Sequence, residues 1–403
     1  MRKNHIVFIL LLISPLWSNA QLFSFFGEKE KPPELLMDRG IQIETTKAIN
    51  NMYNFNFREA ELEFKWIMVK YPKHPIGHFL LGLNDWWRIV PDTKVDIYDN
   101  EIHANMDKAI DLAVDMYDAY DEKSKEAAFF AAAAYAFKGR LYAERENWIK
   151  AAWAGKKALN YLEKSRGDSN INPELLFGDG LYNFYSKWIQ ENYKSLRPLL
   201  TFFRKGDKNL GIKQLENVSQ NAFYTRMEAR YFLVQIYSLD GKNRSALIMS
   251  RMMHAIYPNN SFFHRYAARS AFVTNQMTEA EQYANEIMAS INTNQYGYGA
   301  NEGRYATYIL GYINQHYKRN IAEAKSNYLA CVKFAESNDS EESGYYQSSL
   351  LALGDFEKND QNYQKAEEYY KMVLAAKTKK SSTYAKAKER ISELKKLNKK
   401  RKK

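Results

Sequence analysis

The chain has little cysteine, proline or glycine: one cysteine, nine prolines and eighteen glycines in 403 residues. A single cysteine excludes an intramolecular disulfide, a thiol-rich zinc site and a redox pair of thiols. Proline and glycine are too sparse for the many turns of an all-β protein. Because 45% of the residues are hydrophobic and 15% aromatic, the chain can bury a sizeable core. The composition therefore predicts a helical protein held together by packing.

Positive charge is concentrated at the ends of the chain, although the formal net charge is +11. Residues 377–403 carry 13 basic and 2 acidic side chains, and Arg2 and Lys3 lie at the front. The body between them has 43 basic and 45 acidic residues. A body this close to neutral offers no broad phosphate-binding face, so nucleic acid is not expected as a partner.

Residues 1–20 read as a cleaved secretory signal peptide. Two cations precede an apolar stretch from Ile6 to Leu16, and the small residues Ser18 and Ala20 suit a signal peptidase. This stretch is about half the ~20 residues needed to span a bilayer. Gln21, and not cysteine, would follow the cleavage, so a lipoprotein anchor is not expected. We expect export to the periplasm or outer membrane of a Gram-negative bacterium, with residues 21–39 as a flexible linker.

Internal repeats organise the rest of the chain. Ala246 and Ala280 lie on the apolar faces of two predicted helices, 34 residues apart. The clearest repeat unit consists of Leu353, Gly354, Tyr363, Ala366, Tyr370 and Val373. A second unit has one extra residue in its turn and consists of Leu310, Gly311, Ala324, Tyr328 and Cys331. In such a unit the glycine lets two antiparallel helices approach closely, and an aromatic ring fills the groove beside it.

These units resemble the tetratricopeptide-repeat (TPR) superfamily. The resemblance implies an all-α, right-handed superhelix (solenoid) of antiparallel helix hairpins over residues 40–376, with a degenerate aromatic-rich part at about 167–210. It also implies a protein-interaction scaffold with a concave binding groove. A narrower likeness, to the eukaryotic TPR family linked to the mitochondrial outer membrane and inclusion-body clearance, spans residues 177–218. Its residues are Gly178, Gly180, Leu181, Phe184, Pro198, Gly206, Asp207, Gly211 and Leu215.

Helix periodicity predicts which residues bind a partner. On the first helix of each hairpin, these residues lie beside the packing face and are expected to point into the groove. They are Phe79, Trp86, Arg140, Tyr231, Arg265, Arg269, Tyr305, Tyr308 and Tyr312. The three last tyrosines form one stripe at helical spacing. Tyrosine and arginine commonly anchor binding energy at interfaces. The alternative, that this stripe packs against a neighbouring repeat, stays open.

Residue types that carry catalysis or bind metals show no recognisable arrangement in the sequence. His74 and His78 are spaced like ligands on one helix face, but Pro75 lies between them and no HExxH motif follows. Cys331 stands where a repeat packs a small side chain, which predicts a buried thiol. No phosphate-binding loop or nucleophile elbow is present. We therefore expect no enzyme, no cofactor and no metal.

The C-terminal segment 377–403 is predicted as a capping helix with a basic tail. Ile391, Leu394 and Leu397 recur at helical spacing, and five basic residues end the chain: Lys399, Lys400, Arg401, Lys402 and Lys403. Such a tail keeps a protein soluble or contacts an anionic surface, a membrane or an envelope polymer.

Three functions remain open at the level of the sequence. The first is a non-enzymatic scaffold that binds a partner protein or peptide in its groove. The second is an adaptor that docks on an anionic envelope surface through the basic tail. The third is a small-ligand binder or enzyme that uses the aromatic segment 175–203.

Overall fold

The computed structural model describes residues 31–119, 124–166, 173–192, 204–376 and 381–401, with side chains as far as 397. The predicted signal peptide, residues 21–30 of the linker and the side chains of the last six residues, 398–403, lie outside this description. Within it the chain is all α-helical and contains no strand, and none of its helices is long and apolar enough to cross a membrane.

Seventeen α-helices follow one another in the described residues. Their bounds are α1 Arg39–Tyr53, α2 Phe57–Lys70, α3 Ile76–Ile89, α4 Asp99–Ala119, α5 Lys125–Glu144, α6 Trp148–Ser165, α7 Leu176–Asn192, α8 Lys208–Asn221, α9 Arg226–Leu239, α10 Asn243–Ile256, α11 Ser261–Val273, α12 Met277–Asn292, α13 Ala300–Ile313, α14 Ile321–Glu336, α15 Gly344–Asn359, α16 Tyr363–Ala375 and α17 Ser382–Arg401.

Successive helices pack on one another as hairpins, and the hairpins stack. Helix α11 contacts α12, its hairpin partner, and also α13, the first helix of the next hairpin; α13 likewise contacts α15. The first helices α5, α9, α11, α13 and α15 are joined in this way by direct contacts, and we call these five helices the inner layer below. This arrangement confirms the predicted all-α solenoid of helix hairpins.

Close contacts between a glycine and a tyrosine confirm the TPR-like units. Gly354 on α15 lies against the ring of Tyr370 on α16, and Gly311 on α13 lies against the ring of Tyr328 on α14. Both rings are buried. The extra residue of the second unit is taken up by a π-helical turn at Asn314–Lys318, since such a turn accommodates one additional residue within a helix.

A left-handed residue ends the first helix in six of the hairpins. These residues have φ between +53° and +73° and stand at equivalent points of the turn: Phe55, Glu146, Gly241, Asn275, Arg319 and Gln361. Only one of them is glycine. The repeated turn geometry is therefore set by the packing of the hairpins as well as by local preference.

The N-terminal helices fold back onto the inner layer. Trp87 at the end of α3 contacts Tyr231 of α9 and Phe263 of α11. Asn260 at the start of α11 donates to the carbonyl of Tyr53 at the end of α1. One hydrophobic cluster joins residues from Leu35 to Phe263. The array thus closes on itself over the first half of the inner layer.

Part of the segment expected to be a flexible linker is docked. The amides of Leu35 and Leu36 donate to the carboxylate of Glu126 at 2.7 and 3.0 Å, and both side chains are buried. His74 lies 2.9 Å from the same carboxylate. The structure differs from the expectation here because the buried carboxylate of Glu126 accepts hydrogen bonds from two backbone amides of this segment. No short spacing in the sequence indicates this contact.

The segment with the narrower likeness forms the α7–α8 hairpin where it is described. The helices cross at Gly180 and Gly211, where an added Cβ would meet backbone or the Leu215 side chain. Asp207 accepts hydrogen bonds from the amides of Asn209 and Leu210 and caps α8. At the other end of the array, α17 packs on α15 and α16 and buries Ala387 and Leu394.

Candidate binding site on the inner layer

Arginine and aromatic side chains form a continuous line of contacts along the inner layer. The guanidinium of Arg140 on α5 lies 4.5 Å from the centre of the Trp86 ring and donates a 2.7 Å hydrogen bond to the hydroxyl of Tyr231. The Tyr231 ring packs on Phe262 of α11 at 4.7 Å. Cation–π contacts of this kind are stronger when shielded from water. We call this line, with its continuation on α11, α13 and α15, the arginine–aromatic ladder.

The second half of the ladder runs from α11 to α15. Arg265 lies over the rings of Phe262 and Tyr305, at 5.3 and 5.4 Å. Tyr305 packs edge-on against Tyr345 of α15, and Tyr308 stacks on the same ring at 4.4 Å. Six of the predicted binding residues, on five different helices, therefore belong to one contiguous arrangement: Trp86, Arg140, Tyr231, Arg265, Tyr305 and Tyr308.

Three of the predicted partner-binding residues are buried in the core. Phe79, Trp86 and Tyr231 are 9%, 1% and 3% exposed. They were expected to face an open groove, but neighbouring helices cover them: Phe79 and Trp86 pack against Phe137 of α5, and Tyr231 packs against Trp87 of α3. In this conformation a partner does not reach these side chains, and two of them, Trp86 and Tyr231, contact the guanidinium of Arg140.

The predicted tyrosine stripe packs between neighbouring repeats. Tyr305 and Tyr308 contact Tyr345, whereas Tyr312 contacts Phe272 of α11 at 5.0 Å. The three tyrosines are half-buried. The three rings thus pack between repeats, as the alternative interpretation predicted, and each ring remains partly exposed.

Arg269 lies beside the ladder on α11. Its guanidinium donates to the hydroxyl of Ser238 at 3.1 Å. Phe262, Arg265 and Arg269 follow the i, i+3, i+7 spacing of one helix face. Phe262 could therefore have been found from the sequence. Tyr345 could not, because it comes from the next hairpin and stands in contact only through the stacking of repeats.

Several arginine nitrogens of the inner layer are buried without a hydrogen-bond partner. They are Nη1 of Arg140, Nε of Arg265, and Nε and Nη1 of Arg304. Arg265 is paired with Glu302, whose carboxylate accepts from it at 2.8 Å, and burial raises the pKa of Glu302. A buried donor without an acceptor is costly unless a ligand or a water molecule accepts from it. The layer is thus suited to bind acceptor groups such as carboxylates and peptide carbonyls.

A cavity of about 280 Å³ opens beside Arg140, between α5, α6, α7 and α9. The alanine-rich run of α5 contributes small side chains to its wall. Arg140, Ser165 and Tyr182 are the residues with polar side chains among those that line it; the main apolar ones are Ala132, Ala133, Ala136, Phe137, Leu159, Leu162, Phe177, Leu181 and Phe232. Such a site fits an apolar group that carries an anionic or carbonyl end.

The aromatic segment 175–203 contributes to this cavity through its described part. Phe177, Leu181 and Tyr182 on α7 form one wall, whereas Phe184 is buried against α8. No carboxylate or imidazole stands among the described lining residues. The walls therefore provide binding chemistry, an apolar surface with one guanidinium, and not an acid–base pair.

Comparison with known proteins gives structural similarity only. No protein-family model and no curated protein sequence matches the chain. Similar solved structures include the human IFIT1 dimer with PPP-AAAA (13% identity, 80% of this chain and 69% of that chain, TM-score 0.42). They also include yeast Tom70 (10% identity, 90% and 82%, TM-score 0.40) and the P58(IPK) TPR domain (12% identity, 90% and 99%, TM-score 0.28). The TPR-like character of this chain follows from its own helix order and glycine–tyrosine contacts.

Proposed function

We propose that this chain is a non-enzymatic scaffold of the bacterial cell envelope that binds a partner protein through a peptide segment. The segment presents an apolar side chain to the cavity beside Arg140 and a carboxylate to the guanidinium. The observation that carries the proposal is the position of Arg140 at the wall of an apolar cavity, together with a guanidinium whose buried Nη1 has no hydrogen-bond partner.

The charge of the inner layer supports a partner with acidic character. Arg140, Arg265, Arg269 and Arg304 follow one another along it, and Glu302 pairs with only one of them. A carboxylate bound by a guanidinium in a water-poor site forms a strong, charge-assisted hydrogen bond. Arginine and tyrosine are also the residue types most often found at binding hot spots.

A peptide library tests this function directly. Mature protein from Gln21 is screened against fluorescent octapeptides with free C-terminal carboxylates and against the same peptides amidated. We expect selection of a large apolar residue next to a carboxylate. Arg140→Met should weaken the selected peptide about tenfold or more, since a hydrogen bond to a charged group contributes about 1.5–3 kcal/mol.

A substitution that fills the cavity provides a second test of this function. Ala136 lines it and has an exposed side chain, so Ala136→Phe is expected to block entry without disturbing the core. Ala289→Phe, at an exposed position of α12, is the matched control and should bind as the unmodified protein does. Binding that survives Ala136→Phe would place the contact elsewhere on the array.

Export is part of the proposal and has its own test. The apolar stretch and small residues of positions 1–20 support cleavage before Gln21. Cell fractionation followed by mass spectrometry of the N-terminal peptide should find mature protein that starts at Gln21 in the envelope fraction. Full-length protein in the cytoplasm would contradict it.

A second candidate function, docking on an anionic envelope surface, is favoured by the outer face of α6. Trp148, Ile149 and Trp153 are 66%, 85% and 54% exposed. Exposed basic side chains stand among them at Lys150, Lys156, Lys157 and Lys164. Tryptophan with lysine on one helix face is typical of elements that lie in a membrane interface. The terminal residues Lys399–Lys403 would add to such an attraction.

Vesicle sedimentation separates this function from the first. Vesicles that contain phosphatidylglycerol should bind the mature protein at low salt, whereas pure phosphatidylcholine vesicles should not. Trp148→Ala with Trp153→Ala should weaken this binding, and deletion of residues 396–403 should weaken it further. Neither change should affect the peptide selected above, because both lie outside the cavity.

A further inference from the structure

Two histidines and a glutamate come together away from the inner-layer site. His254 lies on α10, His264 on α11 and Glu286 on α12. One nitrogen or oxygen atom from each of the three lies within 4.8 Å of the other two. The sequence spreads these residues over 32 positions, and the stacking of consecutive helices assembles them. None of them belongs to the arginine–aromatic ladder or to the cavity.

Both imidazole rings have a buried nitrogen without a hydrogen-bond partner. These atoms are Nδ1 of His254 and Nε2 of His264, and His264 is 3% exposed. The rings stack with their centres 4.0 Å apart. Nε2 of His264 lies 3.4 Å from Oε2 of Glu286. A buried imidazole nitrogen left in this state lacks the partner that folded proteins normally supply.

The second nitrogen of His264 is held in place. Its Nδ1 lies 2.9 Å from the hydroxyl of Tyr298, and the ring of Tyr283 packs edge-on against both imidazoles. When Nδ1 carries the proton and donates to Tyr298, Nε2 keeps a free lone pair that points toward Glu286. Orientation of a histidine ligand through its other nitrogen is the usual outer-shell arrangement of a metal site.

Aromatic side chains enclose the His264 ring, since the rings of Tyr283 and Tyr298 both pack edge-on against it. A metal ion binds the neutral form of an imidazole. Glu286 provides the negative charge, and its side chain, 46% exposed, leaves room for adjustment.

We propose that His254, His264 and Glu286 bind one divalent transition-metal ion, in the first place Zn²⁺. Two imidazoles and one carboxylate are a ligand set that zinc accepts, with a fourth position left for water. Ca²⁺ and Mg²⁺ prefer oxygen ligands and do not suit it. Ligand bonds of about 2.0–2.2 Å require the three atoms to close on the ion, and the exposed Glu286 side chain is the one able to move. The ion clips α10, α11 and α12 together.

Titration of untagged, metal-free mature protein with Zn²⁺ tests the site. Calorimetry should show one saturable ion per chain, and the melting temperature should rise with Zn²⁺ concentration but not with Mg²⁺. Co²⁺ in place of Zn²⁺ should give the visible absorption of a four-coordinate ion. Absence of saturable Zn²⁺ binding would overturn the proposal.

Three variants decide which residues hold the ion. Glu286→Gln changes an exposed side chain and keeps the fold, and it should weaken Zn²⁺ at least tenfold. His254→Gln should abolish the binding and the Co²⁺ spectrum. His316→Gln, at an exposed histidine outside the cluster, is the control and should bind as the parent does. Equal binding by Glu286→Gln and His316→Gln would assign the ion to another surface and overturn the proposal, even where His254→Gln does not fold.

Discussion

The indole Nε1 of Trp87 donates a 2.7 Å hydrogen bond to Oε1 of Glu228, 141 residues further along the chain. The hydroxyl of Tyr53 donates to the same oxygen at 3.0 Å. Glu228 is 4% exposed, and burial raises the pKa of its carboxyl group. One side chain of α9 thereby fastens both α1 and α3 to the inner layer.

Glu228→Ala is expected to loosen the fold-back of the N-terminal helices. It leaves two buried donors without an acceptor, which costs about 2–4 kcal/mol in total. Glu228→Gln keeps an acceptor oxygen and avoids burial of a charge, so it should cost less than about 1 kcal/mol. Hydrogen exchange of α1 and α3 measures the difference. Equal exchange in the two variants would show that the carboxylate does not hold these helices.

Gly354 and Gly155 provide a matched pair for the repeat packing. A Cβ at Gly354 would overlap the ring of Tyr370, which is buried and donates a 2.7 Å hydrogen bond to Asp355. Gly354→Ala should therefore lower the unfolding free energy by about 1–3 kcal/mol. Gly155 has no atom within 4 Å of its Cβ position, so Gly155→Ala should raise it by about 0.5–1 kcal/mol. Urea unfolding followed by circular dichroism compares them, and the same sign for both would contradict the close approach.

Asp85 makes stability depend on pH. Burial raises its pKa to about 6, although Arg88, with its Nε 3.6 Å from the carboxylate, opposes the rise. The folded state therefore holds a proton that the unfolded state releases above its ordinary pKa of 3.8. The loss of folding stability caused by Asp85 is therefore absent below pH 3.8 and complete above pH 6. Asp85→Asn should thus stabilise the protein by roughly 2 kcal/mol at pH 7.5 and hardly at all at pH 4.

Unfolding midpoints in urea at the two pH values check this prediction. Asp111→Asn, at an exposed position of α4, is the control and should show no comparable change between them. An Asp85→Asn protein that is less stable than its parent at pH 7.5 would mean that the ion pair with Arg88 outweighs burial.

Cys331 should resist thiol reagents in the folded protein. It is fully buried on α14, and burial raises the pKa of its thiol to about 11. At pH 8 only about one thiol in a thousand is then ionised, and the thiolate is the reactive form. Labelling with a disulfide reagent should be at least a hundredfold slower in native protein than in denaturant. Rapid stoichiometric labelling of native protein would contradict the packing role.

Local sequence patterns predicted the hairpins because the residues that specify each hairpin lie within about thirty positions of one another. The positions of Gly354, Ala366 and Tyr370 specify how two adjacent helices meet, and the structure buries the alanine and the tyrosine as expected. Helix phase also placed Arg140, Arg265 and Tyr305 on the face where they join one line of contacts. Helix periodicity did not predict solvent exposure. Trp86 and Tyr231 lie on the predicted face of their helices, but helices from distant parts of the chain cover them.

The candidate sites depend on distances between hairpins, which the sequence does not encode in any short spacing. The cavity beside Arg140 is lined by residues of α5, α6, α7 and α9, which lie far apart in the sequence. The pair of His254 and His264 forms because α10 and α11 pack against each other, although the nine residues between them include the turn that joins the two helices.

The sequence alone determined the helical class, the repeat unit and the uneven distribution of charge, because each depends on residue types at short, regular spacings. Only the tertiary structure decided that α1 and α3 fold back over the inner layer, with Glu228 accepting from Tyr53 and Trp87. The reason is physical. Burial and hydrogen bonding between distant segments depend on the total rotation that accumulates from one hairpin to the next, and no short sequence pattern specifies this total.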